Sequence, residues 1–144
     1  MLNAAQMERS PVVVGFGGMM VDAQWLETRG IAMLGRAALT AVERAGVPEA
    51  LMFNEAQSMA QIEQALDAGS NCVLLSTEGP SADEELEATA RLARKAHGIG
   101  AAVEAELGHL PDAMDPSVHG EMTDPDEAAR FVSIRRGRPC RVRR

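Results

Sequence analysis

The sequence predicts an α/β fold built on a parallel sheet of about four strand–helix units. Three observations carry that prediction. Short aliphatic or β-branched runs read as fully buried strands, stretches with apolar residues at helical spacing lie between them, and the two alternate four times along 144 residues. Capping signals mark most of the helix ends.

Residues 11–16, PVVVGF, lie between Pro11 and the Gly17–Gly18 pair and read as the first buried strand. Gly17 to Gly30 shows no clear period and is expected to be a loop. Gly15, Gly17 and Gly18 suggest a phosphate cradle, but no Walker lysine follows, so a plain strand-exit loop is the stronger reading. From Ile31 to Ala45, Ile31, Leu34, Ala38, Val42 and Ala45 recur at spacings of three and four, with Gly46 where a C-terminal cap belongs; this is a helix. Val47 to Phe53 form the second strand. Ser58 and Gln61 make a capping box that opens a helix through Ala68, closed by Gly69. Cys72 to Leu75 are the third strand. Ser81 with Glu84 is a second capping box, and the helix from Ala82 to His97 carries Arg91, Arg94, Lys95 and His97 toward its negative end, which cations suit.

The fourth strand, Ala101 to Leu107, is chemically the sharpest stretch. Glu104 and Glu106 are two apart, so on a continuous strand they project to one face, where their repulsion and lost hydration call for a cation, a cationic side chain or a shared proton. A loop rich in Pro, Asp, Gly and Met spans 108–122. Asp124 then caps a last helix, with Pro125 first and Glu127 three past the cap, running to about Val132.

Composition narrows the function. Aromatic residues are only 3%, with no Tyr, which removes the stacking platforms of single-strand nucleic-acid binders. Net charge is −7, and without the six arginines of the last ten residues it is −13, so the body is acidic and nucleic acid is excluded as the main partner. Cys72 and Cys140 lie far apart and read as reduced thiols, the first in the core; with no membrane-length apolar run and no signal-like N-terminus, a cytoplasmic protein is expected. The nine methionines read as gap fillers in an aromatic-poor core. His97 reads as compensating a helix dipole, and His109 and His119 as loop residues, the former close enough to Glu106 to serve as a ligand. In a barrel or an open parallel sheet, function gathers at the C-terminal strand ends, here Gly15–Gly18, Asn54–Gln57, Ser76–Glu78 and Glu104–His109.

Together, VEAELG at 103–108, DPDEAARFV at 124–132 and LMFNEAQS at 51–58 resemble the class II, zinc-dependent ketose-bisphosphate aldolases, the family of fructose-bisphosphate and tagatose-bisphosphate aldolases. The resemblance runs from about Ser10 to Val132. It implies a partial (β/α)8 TIM barrel over residues 1–132, a divergent and truncated member, with an arginine-rich tail at 133–144 that is disordered or an artefact of truncation. It also implies a lyase of carbohydrate metabolism, as in glycolysis, performing reversible aldol cleavage of a phosphorylated ketose, with zinc as cofactor polarising the carbonyl.

In the family, the strand before S-x-x-Q ends in an aspartate, the acid/base, and a histidine metal ligand; this chain has Asn54 and Glu55 there. An amide cannot exchange a proton near neutral pH, and a carboxylate in place of imidazole shifts preference toward magnesium or manganese. The resemblance implies that one of Glu104 and Glu106 is a zinc ligand, Glu106 being the stronger candidate, with the other supporting it. This chain alone is therefore expected to be inactive. Two rival readings are a non-catalytic sugar-phosphate-binding or regulatory protein, and a magnesium-dependent carbonyl–enolate enzyme using Glu55, Glu104 and Glu106. The expected partners are a small sugar phosphate and further copies of the chain, with no nucleic acid and no membrane. Self-association follows from the first and last strands, which are apolar edges without protecting lysines.

Overall fold

A computed structural model describes residues 1–17, 22–76, 82–106 and 123–134. Four strands, β1 (Val12–Gly17), β2 (Glu49–Ala56), β3 (Cys72–Leu75) and β4 (Ala102–Glu104), form one sheet in the order β1-β2-β3-β4, with every neighbouring pair parallel. Strands that follow their chain order without reversal are wound in one direction, as in a barrel wall. A doubly wound open sheet would reverse at a switch point.

Helices cover one face. Among the described residues, α3 (Ile31–Glu43) packs on β1 and β2, α4 (Met59–Asp67) on β2 and β3, and α5 (Ala82–Gly98) on β4. The main core lies between these layers: Ile31, Ile62, Ala65, Leu92 and Ala96 from the helix side meet Phe53, Ala56, Val73 and Val103 from the strands, nearly all of them solvent-free. The opposite face is built differently. Its cluster, Met52, Cys72 and Leu74 with Ala50 and Ala102, consists of strand residues alone, which is how the interior wall of a barrel is made.

The elements depart from the sequence expectation at identifiable places. A helix α1 (Leu2–Glu8) precedes β1; it buries only Ala5, so there was no apolar period to read. The stretch 17–30, expected as a loop, is partly helical. Asp22 caps α2 (Ala23–Trp25) by accepting the Trp25 N–H at 2.8 Å, and a π turn (Leu26–Gly30) leads without a break into α3. Leu26 and Ile31 are both buried although five apart, a spacing that a regular α-helix would spread over different faces and that one wide turn brings together. That phase shift is why the period was invisible.

Strand β2 runs to Ala56, beyond the expected Phe53, because a bulge extends it. Phe53 pairs with Val73 and Ala56 with Leu75, so Asn54 and Glu55 together face Leu74. Strand β4 is shorter than expected and ends at Glu104. Ser81 of the second capping box, Leu107 at the expected end of the fourth strand, His109, His119, Cys140 and residues 135–144 of the arginine-rich tail lie outside the described residues. The last helix, α6 (Pro125–Ile134), begins as expected, with Asp124 Oδ1 accepting the N–H groups of Asp126 and Glu127 at 2.8 and 3.0 Å. No helix among the described residues is long and apolar enough to cross a membrane.

Candidate functional site at the C-terminal strand ends

Because the four strands are parallel, their C-terminal ends share one rim of the sheet. Register aligns Gly17 with Asn54 and Leu74 with Glu104, and the bulge sets Asn54 and Glu55 opposite Leu74. Side chains alternate along each strand, so Asn54, two past Met52, and Glu104, two past Ala102, belong to the strand-only inner face. Gly15 and Gly17 stand on the same face of β1. A Cβ on Gly17 would lie 3.4 Å from the Asn54 carbonyl oxygen and 3.6 Å from Asn54 Cβ, so the absent side chain leaves room directly beside Asn54.

Glu55 is held in an unusual way. Its φ is 54°, left-handed for a residue with a Cβ, and its carbonyl oxygen accepts the Gln57 Nε2–H at 3.2 Å. The bulge explains the conformation. Phe53 and Ala56 both sit in the helix-side core although three apart, and a regular strand would place them on opposite faces. One extra residue restores Ala56 to the core side while Asn54 stays on the inner face.

The two strand-four glutamates are not arranged as a continuous strand would set them. The pairing of β3 with β4 runs from Cys72 and Ala102 only as far as Leu74 and Glu104, so Glu106 lies beyond the strand and the alternation does not run through to it. Glu104 and Glu106 are exposed and Glu55 is half-buried, so none of the three is fully removed from water. His97 sits in the last turn of α5, which leads into the N-terminal end of β4, the rim opposite the other candidates.

Tetrahedral zinc calls for three or four imidazole, thiolate or carboxylate donors converging at about 2.0–2.3 Å. The donors at this rim are carboxylates, and among the described residues no three His, Cys, Asp or Glu side chains gather as a metal group. The described residues do not fit a zinc centre.

The contacts that hold this rim together were only partly legible. Gln61 was readable as a capping residue, and its N–H does donate to Ser58 Oγ at 3.2 Å. Its side chain goes further: Oε1 accepts the Gln57 N–H at 2.8 Å and Nε2 donates to Glu27 Oε1 at 3.1 Å, a link across 34 residues. Glu27 lies in the stretch 17–30, where the sequence shows no clear period. The signal that points to it is Asp22, a capping residue directly before Ala-Gln-Trp.

This architecture recurs in known proteins. The YdjI aldolase of Escherichia coli K12 has a crystal structure that superposes with a TM-score of 0.64 at 27% identity, covering 92% of this chain and 48% of that one. In sequence, YdjI is 30% identical over 134 residues, 91% of this chain and 46% of YdjI. A putative fructose-1,6-bisphosphate aldolase from Coccidioides immitis superposes with a TM-score of 0.68 at 27% identity, over 92% of this chain and 47% of that one. The 6-phospho-5-dehydro-2-deoxy-D-gluconate aldolase of Bacillus velezensis is 33% identical over 132 residues, 91% of this chain and 45% of its own length. The chain thus spans about half the length of these relatives, and its four-stranded sheet corresponds to part of their barrel. The family model for class II fructose-bisphosphate aldolase matches residues 1–136, and the chain belongs to that family.

Proposed function

We propose that this chain forms the part of an aldolase-type barrel that receives a phosphorylated ketose, of the fructose- or tagatose-bisphosphate type, for reversible aldol cleavage. The observation that carries the reading is the inner-face row at the strand ends: a glycine gap at Gly17, the amide of Asn54 and the carboxylate of Glu104. Asn54 offers one acceptor and two N–H donors to a sugar hydroxyl or carbonyl, and Glu104 accepts from hydroxyls. These groups bind and orient. Asn54 moves no proton, so it does not supply the acid/base step that an aspartate in its place would perform.

The chain by itself therefore binds ligand without cleaving it. A coupled assay for triose-phosphate release from fructose 1,6-bisphosphate and tagatose 1,6-bisphosphate tests this, with no release above a metal-free blank as the expected result. Release that disappears in Glu106→Ala would show that the chain is catalytically competent. Calorimetric titration with dihydroxyacetone phosphate tests the binding half, and Asn54→Ala is expected to weaken it.

Asn54 also favours a second reading, a non-catalytic sugar-phosphate-binding or regulatory protein. Binding that persists without turnover after Asn54→Asp, in a protein extended to the length of its relatives, would support that alternative. Self-association belongs to the main reading: β1 and β4 are the outer strands of the described sheet, and light scattering is expected to give a mass above the 15.3 kDa of one chain.

A further inference from the structure

Gln61 is 2% exposed, which is unusual for an amide on the first turn of a helix, and both ends of its side chain are used. A backbone N–H can only donate and a carboxylate can only accept, so the Gln57 N–H fixes the amide oxygen on one side and Glu27 fixes the nitrogen on the other. Glutamate at this position would set a second carboxylate against Glu27. Leucine would leave the Gln57 N–H without its acceptor. Gln57 in turn closes on Glu55, donating through Nε2 to the carbonyl oxygen of the left-handed residue. The chain's π turn and the bulge of β2 are thus joined through one buried amide, on the rim where the strands end.

We propose that Gln61 is a positioning residue for the ligand-binding rim: anchored by Glu27, it holds the Gln57 turn and through it the Asn54–Glu55 bulge in binding shape. The proposal rests on the sugar-phosphate reading for its functional half, and its structural half is testable alone. Glutamate at 61 keeps the acceptor for the Gln57 N–H but loses the donor to Glu27. Exchanging the pair, Glu27→Gln with Gln61→Glu, keeps the Gln57 N–H bonded to an oxygen at position 61 and restores the link between 61 and 27 with its direction reversed.

The experiment uses the isotope-labelled 144-residue chain and two readouts: the intraresidue amide–Hα nuclear Overhauser effect of Glu55, which is strong at positive φ, and affinity for dihydroxyacetone phosphate. In Gln61→Glu the Glu55 signal is expected to weaken and affinity to fall about tenfold, the order of one lost hydrogen bond to a charged group. The exchanged double variant is expected to recover both, a rescue that general destabilisation would not give. A folded Gln61→Glu with the strong Glu55 signal and unchanged affinity overturns the proposal, as does a double variant that recovers neither. If the parent chain binds no dihydroxyacetone phosphate, the sugar-phosphate reading fails and the Glu55 signal alone decides the positioning role. If Gln61→Glu does not fold, Glu27→Ala, at an exposed position, takes its place. It is expected to speed hydrogen exchange at the Gln57 amide, and unchanged exchange there overturns the proposal.

Discussion

Gly17 and Asn54 are register partners at the ends of adjacent parallel strands, and the missing side chain of the first leaves the second uncovered on the inner face. Glycine in a strand costs about 0.5–1 kcal/mol relative to alanine, so the vacancy is held at some expense of stability. Gly17→Ala is therefore expected to raise the thermal midpoint slightly, since a Cβ there meets only ordinary van der Waals neighbours. Gly17→Val, which suits a strand equally well, is expected to cover Asn54 and weaken dihydroxyacetone phosphate binding about tenfold, roughly 1.4 kcal/mol. Calorimetric titration beside a melting curve separates the two effects. Unchanged affinity in Gly17→Val would place the ligand away from Asn54.

The carboxylate set Glu55, Glu104 and Glu106 predicts how the chain treats metals. Oxygen donors with no imidazole favour hard cations and bind weakly when exposed, so dialysis against equimolar zinc and magnesium is expected to leave no stoichiometric zinc. Metal analysis of the dialysed protein checks it. Stoichiometric zinc that is retained and survives Glu106→Ala would overturn the expectation and show that the metal does not depend on Glu106.

Trp25, the chain's one tryptophan, lies across Gly30 within the π turn. A Cβ at Gly30 would come within 2.4 and 2.6 Å of its ring carbons. Trp25 is 39% exposed, so its ring can swing outward rather than force the backbone apart. Gly30→Ala is expected to shift tryptophan emission to longer wavelength. The net change in stability should be small, because alanine gains about 1 kcal/mol of helix propensity against the lost ring contact. An unshifted spectrum would mean that the turn, not the ring, gives way.

How much was legible follows from what each signal depends on. The parallel sheet could be read because buried strands and amphipathic helices leave compositional marks, as in PVVVGF and the Ser58 cap. The rim was half-readable: Asn54 and Glu104 fall on the inner face by simple alternation. The bulge at Glu55 could not be read, because it is fixed by which core Ala56 must join. The break after Glu104 could not be read either, since the pairing with β3 stops at Leu74, one residue before β3 itself ends, and no residue pattern marks that point. Glu27 was hidden by the π turn, which removes the helical period that would have announced its helix.

The opposite rim carries a cleaner test of packing, where Ser70 and Asn71 enter β3 side by side and are both buried. The main chain of Asn71 ties three strands together: its N–H donates to the Leu51 carbonyl at 3.0 Å and its carbonyl accepts the Ala102 N–H at 2.8 Å. Its Oδ1 also accepts the Leu51 N–H at 2.8 Å, closing the entry to β2. Asn71→Ala keeps the main-chain bonds but leaves that buried N–H unpaired, at a cost of about 1–3 kcal/mol. Part of this is offset, because Asn71 Nδ2 has no hydrogen-bond partner among the described residues and is removed too. Ser70 Oγ is likewise buried without a partner, so Ser70→Ala deletes a desolvated hydroxyl and breaks no bond in exchange. Chemical denaturation of the two variants is expected to move in opposite senses, Asn71→Ala losing about 1–2 kcal/mol and Ser70→Ala unchanged or slightly more stable. A loss of similar size in Ser70→Ala would show that its hydroxyl is satisfied by a buried water, and would make this corner a hydrated joint in the barrel floor.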